Sequence, residues 1–155
     1  MPQITGSLLS GKPIVSVALA SAIPIPGAVA PETLIPQFNL REYRALLDTG
    51  ADITCLCNNV VRECNLPPFG IINMASGKGE NLHTSHLIHL GVWCEQADEF
   101  DREKEIRRTL YQLPNEFIAA AITENSWFDV IIGTDILSNH EFTLFKGGQF
   151  KLTLS

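Results

Sequence analysis

Apolar residues in this chain gather in short runs broken by Gly, Pro and Asn: "PIVSVALA", "YRALLD", "ITCL", "FGIINM", "HLIHLGVW", "EFIAAAIT", "FDVIIG", "EFTLF" and "QFKLTL". Several are rich in Val, Ile, Phe and Thr, side chains that suit a pleated, half-buried surface. The pattern predicts an all-β protein. Helical spacing survives in only three places: Asn58 to Cys64, Asp101 to Leu110, and Asp135 to His140, the last with Asp135 placed to cap it. "FKGGQF" at 145–150 sets Lys-Gly-Gly between two alternating segments and predicts a tight hairpin.

Two stretches break the strand rhythm. Residues 21–37 are proline-rich with few charges and predict a loop without a core of its own. "EQADEFDREKEIRR" at 95–108 is densely charged and reads as a solvated connection or an exposed helix. "KPIVSVALASAIPIPGAVA" at 12–30 has the look of a secretory signal, with a lysine, an apolar stretch and an Ala-x-Ala ending. Prolines 24 and 26 interrupt that stretch, and Ile14, Val15, Val17 and Leu19 alternate with smaller residues, so a strand followed by a loop is the favoured reading. The expected compartment is then cytoplasmic, or secreted or periplasmic if 12–30 acts as a signal.

Composition narrows the classes. At 155 residues, 45% hydrophobic and 18% charged, the chain reads as one domain over 1–155, large enough to bury a core without disulfides or metal. A net charge of −6 and no dense basic stripe argue against nucleic acid as a partner. No apolar run reaches the length of a membrane span, so no membrane partner is expected. Cys55, Cys57, Cys64 and Cys94 are read as reduced thiols, with a zinc site through Cys55-x-Cys57 as the sharper alternative. His83, His86 and His89 hint at a metal cluster, but a spacing of three alternates faces on a strand, and exposed strand histidines are the plainer reading. "SGKG" at 76–79 lacks the rest of a phosphate-binding loop, and no Gly-x-Ser-x-Gly is present.

One segment carries sharper chemistry. In "RALLDTGADITCL", residues 44–56, an apolar run ends by delivering Asp48, followed by Thr49 and Gly50. A buried strand seldom ends in an acid without a use for it, although a turn residue after a strand is the bland alternative. Hydrolysis of a peptide bond by carboxylates needs two of them on one water; like charges that close share a proton, one acting as base and the other as acid. A single Asp-Thr-Gly supplies one.

"ALLDTGAD" together with the downstream "DVIIG" at 129–133, followed by a short helical stretch, resembles the retroviral-type aspartic proteases, the retropepsins. "PQIT" at 2–5, "GKPIVSVAL" at 11–19 and "CNLPPF" leading into "INMASGKGENLHTSHLIHLGV" extend the resemblance over most of the chain. It implies a small closed β-barrel with a flap hairpin and a short helix near the C-terminus, interrupted by insertions at about 21–37 and 95–113. It further implies a homodimeric aspartic endopeptidase acting on peptide or protein, with no cofactor and no metal. Asp48 would be catalytic, with Thr49, Gly50, Ala51 and Asp52 forming the active-site loop and Ser76, Gly77, Lys78 and Gly79 the flap tip. A retropepsin-like module that binds or dimerises without cleaving is the alternative. Two departures stand out: Thr134-Asp135 follows Ile-Ile-Gly where the viral pattern often has arginine, and the tail "EFTLFKGGQFKLTLS" makes a full hairpin.

Overall fold

The computed structural model describes residues 1–23, 38–76, 79–97 and 106–155. Among the described residues, ten strands and two short helices follow in chain order: β1 (Gln3–Ser7), β2 (Ile14–Ser21), β3 (Asn39–Leu47), β4 (Cys55–Cys57), α1 (Asn58–Glu63), β5 (Gly70–Ser76), β6 (Gly79–Ala97), β7 (Ile106–Ile122), β8 (Val130–Ile132), α2 (Thr134–Leu137), β9 (Glu141–Phe145) and β10 (Gln149–Thr153). The all-β expectation holds.

Seven strands form one sheet in the order β2-β3-β8-β4-β7-β6-β5, and an additional β2–β6 pairing closes the first six into a barrel. Closure leaves β5 outside, so β5 and the first half of β6 project as a hairpin with Gly70 opposite Ser85 and Ser76 opposite Gly79. A smaller sheet, β1-β10-β9, is built from both ends of the chain. Its inward residues Phe150 and Leu152, with Leu154 just past β10, join Val17, Leu19, Leu56, Val60, Ile88, Leu90, Leu113 and Val130 in one buried cluster. Each such side chain withdrawn from water contributes roughly 1.5–3 kcal/mol before conformational entropy is set against it.

Periodicity explains most of these elements. Along β2 the burial of Ile14–Ser21 tightens from alternation to full burial where β6 joins its second edge. β6 and β7 are the long pair, and their register slips between His89↔Glu116 and Gly91↔Gln112. Pro114 lies within that slip, where its missing N–H leaves no ladder bond unmade.

Two expectations are corrected, and one strand is added to those predicted. The helix expected from Asp101 to Leu110 is not formed over 106–110, which is the start of β7 paired with Glu95, Gln96 and Ala97 of β6; residues 101–105 lie outside the described residues. The densely charged stretch is therefore in part a strand ladder rather than a solvated loop or helix, because cross-strand pairing outweighs the helix propensity of Glu, Lys and Arg. β1, over "QITGS", was not among the predicted strands; its mixed polarity gives no clean alternation, and it is ordered by pairing with β10 from Gln3↔Thr153 to Ser7↔Gln149. Of the 21–37 loop, residues 24–37 lie outside the described residues. The hairpin at 145–150 is present as β9–β10, with Gly147 and Gly148 both at positive φ. Among the described residues, no helix is long and apolar enough to cross a membrane.

Candidate active site

β3 runs through the core and delivers Asp48 at its end. β8 lies parallel beside it, with Ala45 opposite Val130, Leu46 opposite Ile131 and Leu47 opposite Ile132. The ladder carries one bond further, as the Asp48 N–H donates to the Ile132 carbonyl at 3.0 Å. Between Asp48 and β4 the chain turns back on itself: Ala51 N–H donates to the Asp48 carbonyl at 3.2 Å, and Gly50 N–H donates to Asp48 Oδ1 at 2.9 Å. That last bond fixes the orientation of the carboxylate from its own loop.

The loop is then fastened to the corner between β8 and α2. Thr134 N–H donates to the Ala51 carbonyl at 2.8 Å, and its hydroxyl approaches the same oxygen at 3.3 Å. Thr54, 0% exposed, donates its N–H to Asp135 Oδ2 at 3.0 Å and its hydroxyl to Asp135 Oδ1 at 2.8 Å, while accepting from Gly133 N–H at 3.2 Å. A side-chain carboxylate taking both donors of a buried threonine is a charge-assisted clasp, stronger than neutral hydrogen bonds. Gly133 is required by space: a Cβ there would meet the Ala51 carbonyl oxygen at 2.7 Å and the Ile53 carbonyl carbon at 3.0 Å, both backbone atoms.

Asp135 was expected to cap α2. It does not: the N-cap is Gly133, in extended conformation without a side-chain cap bond, and Asp135 sits in the first turn with its carboxylate turned to Thr54. A helix of one turn contributes little by itself, so the acid serves the loop across from it. Thr54 and Asp135 are the site residues that sequence reasoning missed. Their signal was present in a threonine two residues past Asp52 and an acid directly after the apolar Ile-Ile-Gly and Thr134, a position where a carboxylate must find donors.

The predicted loop residues are brought together. Asp48 and Ala51 are half-buried, whereas Thr49, Gly50 and Asp52 are exposed, and Asp52 has no ion-pair partner among the described residues. Of the predicted flap tip, Ser76 and Gly79 face each other at the end of the β5–β6 ladder, with Gly79 at φ 105°; Gly77 and Lys78 lie outside the described residues. Ile71 and Leu82 are 72% and 74% exposed on one face of this hairpin, since Ile71 pairs with Thr84 and Asn73 with Leu82.

Burial raises all four thiols, and Cys55 most clearly: desolvation, then the charges of Asp135, Cys57 and Asp48, push it up to about 11. Such groups are poor nucleophiles at neutral pH. The histidines do not converge either. His83 Nδ1 bonds the Ala121 carbonyl and His86 Nδ1 the Pro67 carbonyl, each at 2.9 Å, which requires hydrogen on Nδ1. They are also not the exposed strand residues expected, as His86 is buried and the other two are half-buried between neighbouring strands. Among the described residues no group of three or more His, Cys, Asp or Glu side chains is placed to hold a metal.

A barrel strand ending in Asp-Thr-Gly, clasped by a second buried strand and its Gly-Thr-Asp corner, can be set beside known structures. The chain is similar to a retropepsin-like aspartic protease from Rickettsia conorii, with a TM-score of 0.52 over 98% of this chain and 90% of that one, at 10% sequence identity. The fold is retropepsin-like. No family model matches the sequence, and no curated protein does. The likeness is one of architecture alone.

Proposed function

We propose that this chain is an aspartic endopeptidase that acts as a homodimer, hydrolysing peptide bonds with a water held between two Asp48 carboxylates, one from each subunit. The observation that carries the reading is the Asp48 corner. A carboxylate is oriented by Gly50 N–H in a loop whose far end is fastened by Thr54 to Gly133 and Asp135, and is left half-open beside an exposed Thr49 and Gly50. One such carboxylate cannot serve as both acid and base on one water; a two-fold axis through the exposed face supplies the second. In that assembly Thr49 braces the paired loops, and Gly50, Ala51 and Asp52 meet the substrate backbone. The hairpin ending at Ser76–Gly79 covers a peptide bound as an added strand.

The test is digestion of a peptide library by the wild type and by Asp48→Asn, with oligomeric state measured alongside. Expected is cleavage by the wild type, on the acid side of neutrality where the pair holds one shared proton, and none by a variant that keeps its fold and size. Full activity of Asp48→Asn overturns the proposal. A wild type that dimerises and binds peptide without cutting it favours the non-cleaving module instead.

A further inference from the structure

The barrel is stitched shut by the β2–β6 ladder, and that ladder stops early. Its register runs from Ser21↔Ile88 to Val17↔Val92 and would continue as Ser16↔Trp93, Val15↔Cys94 and Ile14↔Glu95. None of these pairs forms, although both strands stay regular there. β2 remains bonded to β3 through Ile14↔Leu46 and Ser16↔Arg44, and β6 to β7 through Trp93↔Leu110 and Glu95↔Arg108. Two strand edges thus diverge while each is held straight from behind.

A cavity of about 410 Å³ fills the opening, bordered by Ile14, Val15 and Ser16 on one side and by Trp93, Glu95 and Arg108 on the other. β1 and Phe150 close its third side. The polar groups facing it can be assigned from strand alternation. Leu47 N–H donates to the Pro13 carbonyl, so odd-numbered positions of β2 address β3, and Ile14 and Ser16 turn their N–H and C=O groups the other way. By the same alternation Trp93 and Glu95 continue the edge that His89 and Gly91 present to β2. The Trp93 indole N–H is buried without an acceptor among the described residues, an expensive state for a group that can only donate. Its ring is fixed beneath the Arg108 guanidinium at 4.8 Å, and Arg108 is in turn paired with Glu42.

We propose that this opening is a binding site for a short extended peptide segment, which enters as a strand between β2 and β6, beside the Trp93 ring, and bonds the free backbone edges at Ser16 and Glu95. The chemical class follows from the donor pattern. Donors and acceptors that alternate along two facing edges are matched by another peptide backbone and not by a lone anion or an apolar ligand. The gap of three register positions takes about three residues, roughly 10 Å of extended chain. The volume lies within the usual range for ligand sites of about 300–1,000 Å³. The site does not rest on the activity proposed above, since none of its bordering residues belongs to the Asp48 loop.

The probe is a set of N-acetyl tetrapeptide amides of high strand propensity, titrated into isotope-labelled protein carrying Asp48→Asn, which keeps the probes intact. Trp127→Phe identifies the Trp93 indole signal. Expected are saturable shifts of that indole N–H and of the Ser16 and Glu95 backbone amides at millimolar peptide or below. Ser16→Pro, which removes a donor of the free β2 edge, should then weaken binding about fivefold, the loss expected for one hydrogen bond. Should Ser16→Pro fold poorly, the backbone amide shifts in the Ser16 protein carry the test. No shift at these three groups overturns the proposal, as does an equal response to acetate alone, which would mark an anion site, or a Trp93 N–H that exchanges with water and ignores peptide.

Discussion

The Asp48 corner and the β5–β6 hairpin belong to the same sheet and are held by opposite means. In the corner, loop and helix are joined by bonds that cross about eighty residues of sequence: Thr54 to Asp135, Gly133 to Thr54, Thr134 to Ala51. These bonds are shielded, since Thr54 is buried and Gly133 has no room for a methyl group. The hairpin is held by its own ladder, stands outside the closed barrel, and leaves Ile71 and Leu82 in solvent. Under the proposed function, the carboxylate would be held still by the first kind of stabilisation and the covering hairpin would move on the second. Buried side-chain clasps resist local opening, and an exposed two-stranded ribbon opens at little cost.

The largest expected effect breaks the clasp. Asp135→Ala strands both donors of Thr54 in a buried place and should cost about 2–4 kcal/mol in chemical denaturation. A loss below about 0.5 kcal/mol would mean that the corner is not held by this carboxylate. Next, Gly133→Ala forces backbone atoms of Ala51 and Ile53 apart and should cost about 1–3 kcal/mol, and should also loosen amide protection at Gly50 and Ala51. Retained protection there would show that the corner absorbs a methyl group elsewhere.

A smaller effect comes from pH. His140, directly behind α2, accepts the Ser155 N–H on Nδ1 at 3.2 Å, and burial lowers its pKa from the usual histidine value. The folded form thus favours neutral imidazole; its contribution is whole above the ordinary histidine pKa and is lost as pH falls through the lowered one. Acidification from neutrality should release Ser155, read as faster amide exchange there, while leaving the hairpin amides untouched. The smallest effect is expected on the hairpin itself. Ile71→Ser with Leu82→Ser should change global stability by less than about 0.5 kcal/mol; a larger loss would mean that this face is covered in the folded state.

How much of this was legible before folding differs by region. The strands around the core announce themselves because "PIVSVALA", "YRALL" and "FDVII" are β-branched or apolar at positions that a closed barrel buries. The Asp48 loop was legible because its residues are adjacent in sequence. The clasp was not, because Thr54 and Asp135 look like ordinary polar residues until β3 and β8 lie side by side. The stretch at 106–110 misled for the converse reason: Arg107, Arg108 and Leu110 suit a helix locally, yet β6 offers them a partner at fixed register.

A β-rich core, an acid at the end of one buried strand and a second buried strand that ends in glycine were all written in the residue pattern. Those are properties of short segments, decided by side-chain shape and polarity. That Asp135 grips Thr54 instead of capping its helix, that the charged stretch joins a ladder, and that the barrel seam parts beyond Val17 and Val92 emerged with the packed chain. Each depends on which strand edge meets which, and a pairing partner distant in sequence leaves no local mark on the residues it will bind.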